Sequence, residues 1–162
     1  MDQVTEDSRK RSITSALGYL GLLPFVGSAL LSFLQGSLWN LAAEQIFISY
    51  SAIILSFMAG TLWGKVLSAG DEGGHQLAYI VSNLIALAAW GTVLWSSRIP
   101  AAEQWSLAIL ALGYVITWHV EKSPRVGQSS HCPTGYGILR QRLTTAVVVL
   151  HLVMVVNVST IG

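Results

Sequence analysis

Charged side chains are scarce in this chain of 162 residues, of which only 10% are Asp, Glu, Lys or Arg. A soluble globular domain carries about 25% charged residues, which solvate its surface. Hydrophobic residues make up 52% of this chain, and its mean hydropathy is +0.57. These proportions exclude an ordinary water-soluble domain and indicate a protein that lipid solvates.

Cysteine occurs once, at Cys132. One cysteine excludes a disulfide framework and a cysteine-rich metal site within the chain. His131 adds a second ligand beside it, but a structural zinc ion requires four. We therefore predict no metal site and interpret Cys132 as a free thiol.

Familiar catalytic patterns are also missing, since the sequence has no Gly-rich phosphate loop, nucleophile elbow or H-E-x-x-H motif. His119 and His151 are weak haem-ligand candidates because their predicted depths differ by roughly 10 Å, whereas axial ligands must face each other. No basic and aromatic surface of the kind that single-stranded nucleic acid requires is visible. We expect no cofactor, no nucleic-acid partner and no enzymatic activity.

Five long segments are nearly free of internal charge, and each is about long enough to cross a hydrocarbon core of roughly 30 Å as a helix. They are residues 12–34, 44–67, 77–97, 103–120 and 139–161. We predict an all-α integral membrane protein with a polar tail at 1–11 and one domain at 12–162, a bundle of five transmembrane helices. The first segment is too long for the apolar region of a signal peptide, so we expect it to remain as an anchor.

The basic residues are distributed unequally between the two sides of these segments. If all five cross, Arg98 alone lies on one side, and the other side has Arg9, Lys10, Arg11, Lys65, Lys122, Arg125, Arg140 and Arg142. Because positive residues are retained on the cytoplasmic side during insertion, we predict a cytoplasmic N-terminus and a periplasmic C-terminus. The predicted location is a bacterial inner membrane, with the lipid bilayer as the first partner.

Small residues recur every four positions in the second segment, at Ala52, Ser56, Gly60 and Gly64. This spacing lets two helix backbones approach closely in lipid. We favour packing within the bundle, and contact with a second copy or another membrane protein is the alternative. In the first segment Pro24 should bend or interrupt the helix and free carbonyl groups.

The last segment places Arg140, Thr144 and His151 on one stripe of a helix, within roughly 20° of one another. His151 would lie about 15 Å deeper than Arg140, near the middle of the bilayer, where ionisable groups are functional candidates. The favoured interpretation is a neutral histidine that bonds Asn83 or Asn157 inside the bundle.

A ligand site is the alternative interpretation of His151. Trp90 lies inside the third segment, away from the interfaces that tryptophan prefers, so either packing or a pocket must explain it. In this hypothesis Trp90, Asn83 and His151 line a cavity for a small lipophilic or protonatable ligand.

Opposite charges flank the connection between the last two segments. Glu121 closes the fourth segment and Arg140 opens the fifth, at the same predicted interface. We predict that the two side chains form an ion pair there and hold the helical hairpin together.

Two strings match a known family, LGYLGLLPF at 17–25 and YSAIILSFMAGTLWG at 50–64, and the second is specific enough to make a chance match unlikely. SNLIALAAW at 82–90 and LRQRLT at 139–144 match more weakly. With them the chain resembles the domain-of-unknown-function 3429 family, which includes transmembrane protein 69 of animals. The chain departs from the family pattern at Leu62, where a histidine is usual, and at Glu121, where an aspartate is usual; the third span also lacks the usual proline after its serine.

The resemblance implies a small multi-pass membrane protein and no particular activity. Together with the small-residue pattern, it leads us to expect a non-enzymatic accessory or structural component of the membrane. The alternative function is that of a carrier or binding protein with its ligand cavity near His151 and Trp90.

Overall fold

The computed structural model describes residues 12–38, 40–69, 76–123 and 136–161. Six helices dominate these ranges: α1 (residues 12–20), α2 (Leu23–Phe33), α3 (Ala43–Ala69), α4 (Gln76–Arg98), α5 (Glu103–Lys122) and α6 (Tyr136–Ile161). Two short strands, β1 (Ser37–Leu38) and β2 (Leu41–Ala42), precede α3, and a 3₁₀ turn at Pro100–Ala102 precedes α5. The all-α class is confirmed. The predicted tail at 1–11 and Cys132 lie outside the described residues.

Four helical stretches are long and apolar enough to cross a membrane. They are Ser12–Phe33, which joins α1 to α2, and Ala43–Leu67, Gln76–Arg98 and Gly137–Thr160. The remaining predicted segment, 103–120, forms α5 but is not one of these four, because polar side chains such as Glu103, His119 and Glu121 lower its hydropathy. The composition and length of the four stretches indicate a membrane protein.

The first of these stretches is interrupted where Pro24 predicted a break. Residues 21 and 22 form a turn between α1 and α2, and Pro24 occupies the first turn of α2, where a missing N–H costs no helical hydrogen bond. The Tyr50 hydroxyl of α3 donates to the carbonyl oxygen of Gly21 at 3.0 Å. A neighbouring helix thus satisfies a backbone acceptor at the break.

A small β-hairpin connects α2 to α3. α2 ends in a Schellman motif, in which the amides of Gly36 and Gln35 donate to the carbonyls of Leu31 and Ser32, each at 2.9 Å. Gln35 takes the left-handed conformation there, with φ of 50°. β1 and β2 then pair antiparallel and lead the chain directly into α3.

Successive long helices run in opposite directions, so the bundle has two ends. We call the end at which α3 and α5 terminate the basic end, because Lys65, Lys122 and Arg140 lie there; the opposite end, with β1 and β2, is the hairpin end. α3 packs against α2, α4 and α5, and α5 also packs against α4 and α6. Side chains such as Phe47 and Leu110 are wholly buried at these contacts.

The outward faces of the helices are apolar. Large hydrophobic side chains are exposed along every long helix, among them Phe57 on α3, Leu84 on α4, Leu112 on α5 and Val156 on α6. Soluble monomers rarely expose such continuous apolar surface, whereas a bundle in lipid requires it. The polar side chains of the interior are therefore the place to look for a site.

Candidate functional site: the buried polar core and the basic end

His151 is wholly buried near the middle of α6. Three aromatic rings enclose its imidazole, with ring centroids 4.9 Å away for Phe47, 5.5 Å for Tyr114 and 6.0 Å for Phe25. These rings come from α3, α5 and α2. Four helices therefore meet at this one side chain.

Hydrogen bonds to both ring nitrogens define the protonation pattern of His151. Nδ1 lies 2.8 Å from the carbonyl oxygen of Val147, which can only accept, so Nδ1 carries a hydrogen. Nε2 lies 2.8 Å from Oγ of Ser51. In the neutral imidazole Nε2 accepts from the Ser51 hydroxyl, so both nitrogens are satisfied without a buried charge.

Ser51 is a core residue that the sequence analysis did not single out. It is wholly buried on α3, and the Tyr114 hydroxyl of α5 donates to its backbone carbonyl at 2.9 Å. Ser51 therefore joins α3 to both α5 and α6. Asn83 and Asn157, the partners expected for His151, lie elsewhere: Asn83 donates to Tyr79 of its own helix, and Asn157 donates to a residue at the hairpin end.

The Ser51–His151 contact has the distances of a nucleophile and its general base, with Val147 orienting the base. Both side chains are 0% exposed. A substrate carbonyl cannot approach the Ser51 hydroxyl in this conformation. The contact acts here as a link between α3 and α6.

The structure does not bring Trp90 and Asn83 together with His151. Trp90 is 63% exposed on the outer surface of α4, and Asn83 is exposed as well. α4 turns a face of smaller residues towards α3 instead, and the Ser82 hydroxyl donates to the carbonyl of Ala59 at 2.9 Å. The predicted three-residue cavity is therefore absent from the described part of the chain.

The small-residue stripe of α3 leaves the core as it approaches the basic end. Ala52 is buried and Ser56 is half-buried, but Gly60 and Gly64 are exposed. A Cβ atom built on either glycine would have no atom within 4 Å. The reason is geometric, since residues four apart rotate about 40° per step around a helix. Packing within the bundle, our favoured interpretation, is wrong for these two glycines.

Close helix contacts occur at other glycines. A Cβ atom on Gly113 of α5 would lie 2.6 Å from Cδ2 of Leu55, and one on Gly18 of α1 would lie 2.8 Å from Cδ1 of Leu143. These glycines let α5 approach α3 and α1 approach α6. Neither belongs to a four-residue repeat, so the spacing argument could not identify them.

At the basic end one carboxylate binds two cations. Glu121 is only 8% exposed; its Oε2 accepts from Nε of Arg140, the partner named from the sequence, at 2.9 Å, and its Oε1 accepts from Nζ of Lys65 at 2.5 Å. Lys65 was placed on this side by the sequence, but was not assigned a partner. The cluster ties together α3, α5 and α6.

Glu121 follows Val120, the last residue of the predicted fourth span. Burial by itself raises the pKa of its carboxyl, but the hydrogen bond from Lys65 and the charges of Arg140 and Lys65 outweigh burial. The pKa of Glu121 therefore lies below its ordinary value. The carboxylate stays ionised at neutral pH.

A cleft of about 190 Å³ begins beside this cluster and is lined by residues of α1, α2, α3, α5 and α6. Arg140 and Thr144 line its wall. Two buried polar atoms of these residues, Nη2 of Arg140 and Oγ1 of Thr144, have no hydrogen-bond partner among the described residues. Arg140 and Thr144 thus differ from His151, whose ring nitrogens are both satisfied.

The hairpin end has a polar chain of its own. The Asn157 amide donates to Oγ of Ser32 at 2.8 Å, and the Ser32 hydroxyl donates to Glu44. Glu44 and Glu103 line an open cavity of about 960 Å³ beside the hairpin. No group of three or more His, Cys, Asp or Glu side chains that could hold a metal occurs within the four described ranges.

Comparison with known proteins gives one match. The family described as "Protein of unknown function (DUF3429)" matches residues 11–156, which include Ser51, Glu121, Arg140 and His151. No curated protein and no solved structure matches the chain. The match covers far more than half of the sequence and confirms the resemblance that the motifs indicated. This chain belongs to the DUF3429 family.

Proposed function

We propose that this protein is a non-enzymatic accessory component of a bacterial inner membrane, with five membrane spans and a cytoplasmic N-terminus. The observation that carries the proposal is the use of the core polar groups: Ser51, Tyr114 and His151 bond one another or the backbone across three helices. Interhelical hydrogen bonds of this kind hold membrane bundles together.

Charge supports the orientation. Among the described residues, Lys65, Lys122, Arg140 and Arg142 belong to the basic end, and Arg98 is the one Lys or Arg at the hairpin end. An excess of Lys and Arg is typical of the cytoplasmic side. The basic end is accordingly proposed to face the cytoplasm, which puts the N-terminus there and the C-terminus in the periplasm.

The fifth span rests on the position of α5. Its residues 103–120 measure about 27 Å as a helix, close to the thickness of a hydrocarbon core of roughly 30 Å. α5 packs against α3, α4 and α6, so neighbouring helices cover much of its surface. A helix in this position crosses the bilayer together with its neighbours.

Partner contact is proposed at the outer face of α3. The open space over Gly60 leaves the helix surface there accessible to a helix of another membrane protein or of a second copy. The experiment below identifies which of the two co-purifies.

The test replaces Gly60 with leucine. The full-length protein would be recovered from membranes in mild detergent, and its complexes measured by native gel and mass spectrometry. Gly60→Leu should abolish an oligomer or a co-purifying membrane protein. Gly91→Leu on α4, where a side chain also meets open space, is the matched control and should retain both. Unchanged complex size and composition in Gly60→Leu would contradict the proposed contact.

The carrier hypothesis built on His151, Trp90 and Asn83 has weaker support. Trp90 and Asn83 face outwards, and the imidazole of His151 is enclosed by aromatic rings. The residues named for that cavity do not converge, so the accessory role is the better-supported proposal.

A further inference from the structure

The cleft beside the Glu121 cluster has polar groups at one end and apolar groups along the rest of its length. Arg140 lies at the basic end, and Thr144 lies one helical turn deeper, about 6 Å along α6. Beyond them the walls include Val147, Phe25 and Ile54. This order, from cation to hydroxyl to hydrocarbon, matches the orientation of an amphiphile in one leaflet of the bilayer.

The cleft opens to the outer surface of the bundle. Leu17 of α1 and Phe57 of α3 both line it, and their exposed fractions are 63% and 71%. Those two side chains belong to the apolar surface that lipid covers. A molecule dissolved in the bilayer can therefore enter sideways, without crossing the polar connections at the basic end.

Two hydrogen-bond donors in this cleft are buried without an acceptor among the described residues. Thr144 is 7% exposed and its Oγ1 has no partner. Nε of Arg140 is bound to Glu121, but Nη2 of the same guanidinium has no partner. Buried donors without acceptors cost free energy, and an acceptor oxygen from a ligand would recover it.

Charge and size restrict the ligand. Nη2 of the positively charged Arg140 guanidinium has no partner among the described residues, which favours an anionic group beside it. The volume of about 190 Å³ is only slightly larger than the cavity of about 150 Å³ that holds one benzene molecule. One chain with a small head fits, whereas a macrocyclic cofactor or a bulky phosphodiester headgroup does not.

We propose that this cleft binds a long-chain carboxylate, a free fatty acid taken from the bilayer. The carboxylate accepts from Nη2 of Arg140 and Oγ1 of Thr144, and the first part of the chain lies against Val147, Phe25 and Ile54. The remainder of the chain leaves the cleft past Leu17 and Phe57 and stays among the lipids.

The experiment measures binding of radiolabelled palmitate to the full-length protein in phosphatidylcholine nanodiscs. Unlabelled palmitate, hexadecanol and phosphatidylglycerol serve as competitors. Palmitate should compete at least about 10-fold better than hexadecanol, because charged donors stabilise a carboxylate more than a neutral hydroxyl. Phosphatidylglycerol should compete poorly.

Two variants test the donors. Thr144→Val keeps the volume and removes the hydroxyl, and should weaken palmitate binding about 2- to 10-fold. Arg140→Lys keeps a cation for Glu121 but removes the Nη2 donor of the guanidinium. It should weaken palmitate binding about 10-fold or more. Thr92→Val is the control: Thr92 is a buried threonine of α4 whose hydroxyl donates to Ala89, and binding should not change.

Three results would overturn the proposal. Equal competition by hexadecanol and palmitate would show apolar partitioning only. Phosphatidylglycerol that competes as well as palmitate would assign the cleft to a phospholipid. Unchanged binding in both Thr144→Val and Arg140→Lys, with the variants folded as judged by their unfolding transitions, would place the bound palmitate elsewhere. None of these results depends on the contact proposed at Gly60.

Discussion

The hydroxyl oxygen of Ser51 lies 2.8 Å from Nε2 of His151, although the two residues are 100 positions apart in the chain. The contact is wholly buried and connects the first half of α3 to the middle of α6. Because Nδ1 donates to Val147, the ring presents an acceptor to Ser51, and the serine is the donor. Among the described residues, this hydrogen bond is one of three side-chain links between the last helix and the rest of the bundle, with Arg140–Glu121 and Asn157–Ser32.

Replacement of Ser51 by alanine should therefore destabilise the bundle. The change leaves Nε2 of His151 buried without its donor, which costs about 1–3 kcal/mol. The free energy of unfolding in mixed detergent micelles measures the effect. Ser97→Ala is the control, because the Ser97 hydroxyl is exposed and bonds only its own helix, at Leu94; we expect a change within about 0.5 kcal/mol there. Equal stability of the two variants would contradict the role assigned to Ser51.

The Tyr50 hydroxyl should stabilise the break between α1 and α2. Tyr50→Phe removes the donor to the carbonyl of Gly21 while it retains the ring, and should lower the free energy of unfolding by about 1 kcal/mol. Amide exchange around residues 17–26 should also accelerate, since the break loses its anchor on α3. Exchange rates there that equal those of the unsubstituted protein would show that the hydroxyl does not hold the break.

Glu121 should make stability pH-dependent. Its pKa is lower in the folded protein than in the unfolded chain, where it is about 4.3. The ionised Glu121 carboxylate therefore makes its full contribution to stability above the unfolded pKa, and this contribution is lost as the pH falls through the pKa of the folded protein. Unfolding measured from pH 7 to pH 3 should show this loss. Glu121→Gln should be about 2 kcal/mol less stable at pH 7, with a flatter profile below pH 5.

A double-mutant cycle measures the interaction energy between Lys65 and Glu121. Lys65→Met alone leaves the Arg140 pair intact, so its cost should be smaller than that of Glu121→Gln. In the double variant the cost of the two changes should be less than additive, because both remove the same contact. Additive costs would mean that Lys65 and Glu121 do not interact energetically.

Gly113 and Gly60 should respond oppositely to leucine. A side chain at Gly113 meets Leu55 of α3 at 2.6 Å, so Gly113→Leu should separate α5 from α3 and cost about 1–3 kcal/mol. A side chain at Gly60 meets open space, and Gly60→Leu should leave the stability of the isolated chain unchanged or slightly higher. Thermal unfolding of both variants in detergent measures the difference. A destabilised Gly60→Leu would place that glycine in the core after all.

The two ends of the chain should lie in opposite compartments. Reporter domains fused at Met1 and Gly162 should be active in opposite compartments, with the fusion at Met1 cytoplasmic. If both fusions report the same compartment, the proposal of five spans is contradicted. The helix that does not cross would then be α5, because its hydropathy is lower than that of the other four stretches.

Several features of the fold follow from local sequence. Runs of apolar residues about 20 long predict helices of membrane length, and the structure has a helix at each of the five segments. Pro24 predicted the break in the first segment, since a missing N–H and a ring are local properties of one residue. The Glu121–Arg140 ion pair could be predicted because Glu121 lies at the end of one helix and Arg140 near the start of the next, and a single connection joins the two helices.

Other features could not be read from sequence. In lipid the outer face of a helix is as apolar as the inner face, so hydropathy does not indicate which side is buried. This is why the alternative ligand hypothesis includes Trp90 and Asn83, although they face outwards. It is also why the small-residue spacing predicts a helix contact at Gly60, whereas the structure has one at Gly113. Hydrogen bonds between residues far apart in the chain, such as that of Ser51 with His151, produce no periodic pattern in the sequence.

Local sequence alone therefore determined that the chain forms apolar helices, where each begins and ends within a few residues, and which end of the bundle is basic. Those properties depend on side chains and their immediate neighbours. Tertiary structure decided the rotation of each helix about its axis, and with it the Ser51–His151 bond and the cleft at Arg140 and Thr144. Rotation is set by the fit of side chains from several helices at once, which no single segment encodes.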